Sequence, residues 1–190
     1  TAPRLWEDAR GIDGAFTAND PNVRKWAVDR TKRSIDIGNA IGTHKMVIWP
    51  AREGTYIREA KDAVVAYDRF VEYLNKALSY DKKVKILIEP KPNEPRGDIY
   101  LATVGHALHF ITTLDDPEMV GVNPEFAHET MAGLNFVHAV AQALEGGKLF
   151  HIDLNDQQPG RYDQDFRFAS EQPKRAFFLV KLLEESGYDG

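Results

Sequence analysis

Hydrophobic positions along this chain switch between two periods. Short runs of consecutive apolar residues alternate with longer stretches in which apolar residues recur every three or four positions. The runs read as buried strands and the stretches as amphipathic helices packed on them. Asp20 followed by Pro21 has the form of an N-cap with proline at the first helical position, and predicts a helix through about Gly38. Residues 44–49 predict a strand stopped by Pro50. Residues 57–80 predict a helix whose inward face is Val64, Tyr67, Val71, Leu74 and Leu78. A strand over 84–89, a shorter helix over 103–113 and a strand over 119–123 follow. Residues 129–144 predict one helix with Leu134, Val137, Ala141 and Leu144 on one side, stopped by Gly146 and Gly147. Residues 148–153 predict a fourth strand, and Ser170 is the expected cap of a last helix through about Ser186.

Strands that alternate with helices are parallel and joined by crossovers. The four strands end at Trp49, Glu89, Asn123 and Asp153. An open doubly wound sheet also fits four strands. Polar groups end three successive strands, however, and they converge if the strands share the mouth of a β/α barrel. The expected fold is therefore α/β, a (β/α)8 TIM barrel that is incomplete here (about strands 4–7 with flanking helices), as one domain over residues 1–190. No glycine-rich dinucleotide or phosphate loop follows any strand.

Composition narrows the classes. With 43% hydrophobic and 28% charged residues among 190, the chain has the balance of a soluble globular protein. A net charge of -5 argues against a nucleic-acid partner. The absence of cysteine removes disulfide frameworks and thiolate metal sites and is compatible with a cytoplasmic location. No apolar run approaches the roughly 18 residues of a membrane span, so no membrane partner is expected.

The candidate chemistry lies at the strand ends. A strand that stops on Glu89 carries a carboxylate out of an apolar run, which is costly unless something compensates it. Lys91 follows two residues later in a proline-rich loop. Glu125 and His128 come after the third strand, Asp153 ends the fourth, and Asp163 and Asp165 follow in the next loop. Five carboxylates brought together without counter-charge repel, and some of them stay protonated. Two divalent cations would neutralise most of that charge. Oxygen-rich ligation with one imidazole favours Mg²⁺, Mn²⁺ or Co²⁺. Each piece alone has a plainer reading. The Glu-x-x-His spacing is commonly a helix-start surface pair, Asp-x-Asp is commonly solvated, Lys91 an ordinary surface lysine, and Trp49 core. The case rests on their joint placement after successive strands.

These segments carry a resemblance. Residues 88–98, 122–134, 148–155 and 162–165, together with 14–20 and Arg52, Glu53 and Gly54, resemble the signatures of the bacterial D-xylose isomerase family, in order along nearly the whole chain. The resemblance implies a metal-dependent aldose–ketose isomerase, converting D-xylose to D-xylulose or acting on a related sugar by a 1,2-hydride shift. It implies two divalent ions. Glu89, Glu125 and Asp153 would hold one, and Glu125, His128, Asp163 and Asp165 the other, with Glu125 bridging. Lys91 matches the lysine that donates to the sugar's carbonyl end, and Asp165, with Asp163, would orient the water that takes the C2 hydroxyl proton. Asn123 and Trp49 match pocket positions, and Trp6 stands where the family has a pocket phenylalanine. The implied partners are a small-molecule sugar and further copies of the chain, as a tetramer.

The resemblance also implies that the family's first strands and its last strand fall outside these residues. A ring-opening His/Asp pair and one more Asp ligand would fall outside with them. These 190 residues alone are then expected to show weak or no isomerase activity. Two alternatives stay open: a non-catalytic sugar- and metal-binding barrel fragment, and a metal-dependent phosphodiesterase of the same barrel type. The latter would want more histidine ligands and a basic groove.

Overall fold

The computed structural model describes residues 1–160 and 162–190. Helix α1, Pro21–Ala40, begins as its sequence requires: the Asp20 side chain accepts from Asn22 N, with proline in the first turn. It buries Ala27, Val28, Thr31, Ile35 and Gly38. Strand β1, Lys45–Ile48, follows, then β2, Gly54–Thr55, and α2, Ala63–Leu78. Next come β3, Lys85–Ile88, β4, Asp98–Ile99, α3, Val104–Ile111, and β5, Val120–Val122. The chain continues through α4, Phe126–Met131, α5, Phe136–Glu145, β6, Asn155–Asp156, β7, Phe166–Arg167, and α6, Pro173–Ser186.

The central sheet has the order β1-β3-β5, parallel throughout, with Ile48 opposite Ile88 and Ile88 opposite Val122. Neighbours in sequence are neighbours in space and helices fill the crossovers, which is the construction of a β/α barrel wall. The carbonyl of Thr1 accepts from Val47 N at 2.8 Å and so adds an extended segment beside β1. The inner faces of the strands and helices meet in one core around Met46, Ile48, Ile86, Ile88, Val120 and Val122. Phe16, Phe70 and Phe110 pack in series on one side of it and Phe126 with Phe136 on the other. Two short antiparallel pairs, β2 with β4 and β6 with β7, decorate the loops.

Four expectations change. The fourth strand, 148–153, is not a continuous ladder. Val122 N donates to Lys148 O and Phe150 N to Val122 O, and two isolated parallel bridges join Val122 to Leu149 and Glu125 to Asp153. Between those bridges Pro124 has no N–H to give and Asn123 N is already bonded to Ile88 O, so the ladder is interrupted. Gly121 lets this segment approach, because a Cβ there would lie 2.3 Å from the Phe150 ring.

The helix expected over 129–144 is two helices. Gly133, at φ +74°, ends the first, and Asn135 caps the second by accepting from Val137 N. Leu134 falls in the break and is exposed, and the buried face is Phe136, Ala139, Val140 and Ala143. Helix α2 starts at Ala63, capped by Asp62 through Val65 N, and not at residue 57. Its inward face is Ala66, Phe70, Leu74, Ala77 and Leu78. Val64 is 71% exposed, because the Phe16–Phe70–Phe110 stack turns Phe70 toward the core. Finally, Ser170 does not cap α6. Buried Asp156 instead accepts from Glu171 N and Gln172 N just ahead of Pro173.

Candidate metal and sugar site

Parallel strands place all their C-terminal ends on one edge, and there the predicted residues meet. Glu89 N donates to Ile48 O and Asn123 N to Ile88 O, which sets both residues one step past the ladder. Trp49, at the end of β1, stands beside them. Trp6 meets the Trp49 ring edge-on at 4.6 Å, and His128 lies parallel to Trp49 at 6.5 Å. A cavity of about 340 Å³ opens here, lined by Trp6, Trp49, Glu89, Glu125, His128, Asp163 and Asp165 among others. A larger cleft of about 750 Å³, between α2 and α3, has mostly apolar walls and is not where the carboxylates converge.

His128 is the hub. Its Nε2 is 3.2 Å from both Glu125 Oε1 and Asp163 Oδ2, and its Nδ1 is 3.7 Å from Glu89 Oε1. Among the described residues, two sets of ligand-type atoms each fall within 4.8 Å: Glu89 with Glu125 and His128, and Glu125 with Asp163 and Asp165. Glu125 belongs to both. Asp153 stays at the rim. Its Oδ2 accepts from Asn123 Nδ2 at 2.8 Å, and its side chain is 43% exposed. Lys91, only 2% exposed, donates to Asp163 Oδ2 at 2.8 Å and to Glu94 Oε2 at 3.4 Å, with its ammonium 4.9 Å from the Trp49 ring centre.

The electrostatics are uneven. Burial pushes the Glu89 carboxyl well above its ordinary range, and the charges of Glu125 and Asp153 push it further. Burial also raises Glu125, against the pull of His128. Asp163 goes the other way. Burial opposes its charge, but hydrogen bonds from His128 and Lys91 outweigh that and hold it well below the usual carboxylate range. Among the described residues, His128 Nδ1, Asp163 Oδ1 and Asn123 Oδ1 are buried without a hydrogen-bond partner. Buried polar atoms are rarely left so. Oxygen donors with one imidazole, two carboxyls raised by burial, and unpartnered ligand atoms together fit divalent cations.

All the residues singled out from the sequence therefore lie at this edge, with Asp153 outside both close-set groups. Two were overlooked. Glu94 accepts from Asp163 N at 2.8 Å as well as from Lys91. Asn155 donates to Glu125 Oε1 at 2.7 Å and to Asp165 Oδ1 at 2.8 Å. Glu94 sits three residues after Lys91 and Asn155 two after Asp153, and that proximity was the available signal.

Comparison with known proteins identifies the family and the fold. The family described as the xylose isomerase-like TIM barrel matches residues 9–190. The chain is 56% identical over 190 residues to the xylose isomerase of Thermus thermophilus and 53% identical to that of Thermus caldophilus, covering 98% of this chain and 49% of each relative. It thus spans about half the length of the curated relatives it matches. Among solved structures, a D-tagatose 3-epimerase-like protein superposes with a TM-score of 0.75 at 20% identity, covering 93% of this chain and 64% of that one. The 3-keto-D-glucoside 4-epimerase of E. coli superposes with 0.70 at 18% identity, covering 95% and 66%. At these identities the structural likeness concerns the fold.

Proposed function

The chain belongs to the xylose isomerase-like TIM barrel family, and from that premise we propose that it carries the metal-binding wall of an aldose–ketose isomerase acting on D-xylose or a related sugar by a 1,2-hydride shift. The observation that carries this reading is the meeting of Glu89, Glu125, His128, Asp163 and Asp165 around one small cavity beneath Trp6 and Trp49. One ion would be held by Glu89, Glu125 and Asp153, the other by Glu125, His128, Asp163 and Asp165. Membership of Glu125 in both close-set groups supports its bridging role.

When bound, two divalent cations supply polarisation of the sugar oxygens and acidify water. The side chains of the chain do the rest. A hydride shift needs the carbonyl end polarised and the C2 hydroxyl deprotonated. Lys91 is buried and held on Asp163, so its ammonium is preorganised to donate to the carbonyl oxygen as charge develops there. Asp163 and the exposed Asp165, close-set with Glu125, would orient the water that takes the proton of the C2 hydroxyl, the hydrogen on C2 itself moving as hydride. Asn123 Oδ1, unpartnered and buried, accepts from a sugar hydroxyl. Trp6 and Trp49 make an apolar wall that keeps bulk water from the reacting carbons. We extend the reading to a homotetramer, which light scattering of the full-length protein tests.

The test of function is turnover. Full-length protein incubated with D-xylose, D-glucose and a panel of other pentoses and hexoses, with Mg²⁺ or Mn²⁺, is expected to form ketose from at least one of them. Absence of turnover on the whole panel sinks the proposal.

A further inference from the structure

Asn155 makes three hydrogen bonds, and only an amide can make all three. Its Nδ2 donates to Glu125 Oε1 at 2.7 Å and to Asp165 Oδ1 at 2.8 Å, while its Oδ1 accepts from Ala127 N at 2.9 Å. The partners fix the orientation of the group. Two carboxylates cannot donate and a backbone N–H cannot accept, so the NH₂ faces the acids and the oxygen faces the helix. An aspartate here would set a third carboxylate against two. A leucine would leave Ala127 N and both acids without their partner.

The anchoring continues outward from the amide. Ala127 lies in the first turn of α4, between Glu125 and His128. The backbone of Asn155 is in turn held by the β6–β7 pair, opposite Arg167. One side chain thus ties together the start of the helix that carries His128, the carboxylate shared by both close-set groups, and the loop acid Asp165.

Resting on the metal-centre reading above, we propose that Asn155 is a positioning residue of the two-ion site. It holds Glu125 and Asp165, each through one oxygen, at a fixed separation, so that cations meet a preformed site and not two repelling acids free to swing apart. Outer hydrogen bonds of this kind are typically worth about 10–100-fold in metal affinity.

The experiment is calorimetric titration of Mn²⁺ into the chain and into Asn155→Leu and Asn155→Ser, with folding followed by circular dichroism and thermal melting. Asp62→Ala, which removes the α2 cap at a residue outside the cavity lining and the close-set groups, serves as a control of lowered stability. Both Asn155 variants are expected to fold and to bind Mn²⁺ about 10–100-fold more weakly. The Asp62→Ala protein is expected to melt earlier with unchanged affinity. A folded Asn155 variant that binds as the parent does overturns this inference and leaves the proposed function standing. Failure of both Asn155 variants to fold also overturns it, since a positioning residue leaves the fold intact. A parent chain that binds no Mn²⁺ overturns both.

Discussion

Glu53 and Glu125 are both buried glutamates in loops that follow strands, and their surroundings are opposite. Glu53 is 4% exposed, and donors meet both of its oxygens. Ala15 N and Phe16 N reach Oε1, and Thr17 N and the Thr17 hydroxyl reach Oε2, at 2.6–3.0 Å. Its carboxylate clamps residues 15–17 against the loop after β1. Its neighbour Arg52 donates to Trp6 O and steadies that wall of the cavity. Glu125 faces other acids. Asn155 and His128 serve one of its oxygens, Glu89 and Asp163 crowd it, and burial raises its pKa. A buried carboxylate whose acceptors are filled by the fold is part of the scaffold. One that the fold leaves short of positive charge is a place for something to bind.

The largest expected effect breaks the scaffold side of this contrast. Glu53→Leu leaves three backbone N–H groups and a hydroxyl buried without acceptors, and is expected to cost about 4 kcal/mol in urea denaturation. Next comes the binding side. Mn²⁺ at 100 times its dissociation constant is expected to stabilise the chain by about 2.7 kcal/mol, seen as a rise of several degrees in melting temperature. The smallest effect has the opposite sign to Glu53→Leu. Glu89→Gln replaces a carboxyl whose ionisation burial and two neighbouring acids oppose, so the metal-free protein is expected to gain about 1 kcal/mol, while the Mn²⁺-induced rise shrinks. A metal-free loss like that of Glu53→Leu would place Glu89 with the scaffold.

The binding side of this contrast was legible in the sequence, for identifiable reasons. Strand ends were readable because an apolar run that stops on a charge is a local signal, and parallel topology then gathers Glu89, Asn123 and Asp153 on one edge. What escaped depended on distant partners. The inward face of α2 is set by the stacking of Phe70 on Phe16 and Phe110, which periodicity within the helix cannot register. The break at Gly133 needed a left-handed backbone, and the glycine alone inside a periodic stretch did not announce it. The interruption of 148–153 follows from Pro124 in a different segment. Glu53 and Asn155 stood inside quoted motifs, but their roles come from bonds to residues 36–38 and 28–30 positions away.

The central claim is that Glu125 is shared by two ions. Calorimetric titration of Mn²⁺ into the parent chain, Glu125→Ala and Asp165→Ala tests it most directly. The account predicts two ions bound by the parent and a larger loss of affinity in Glu125→Ala than in Asp165→Ala. Equal or reversed losses, or a parent that binds a single ion, contradict it.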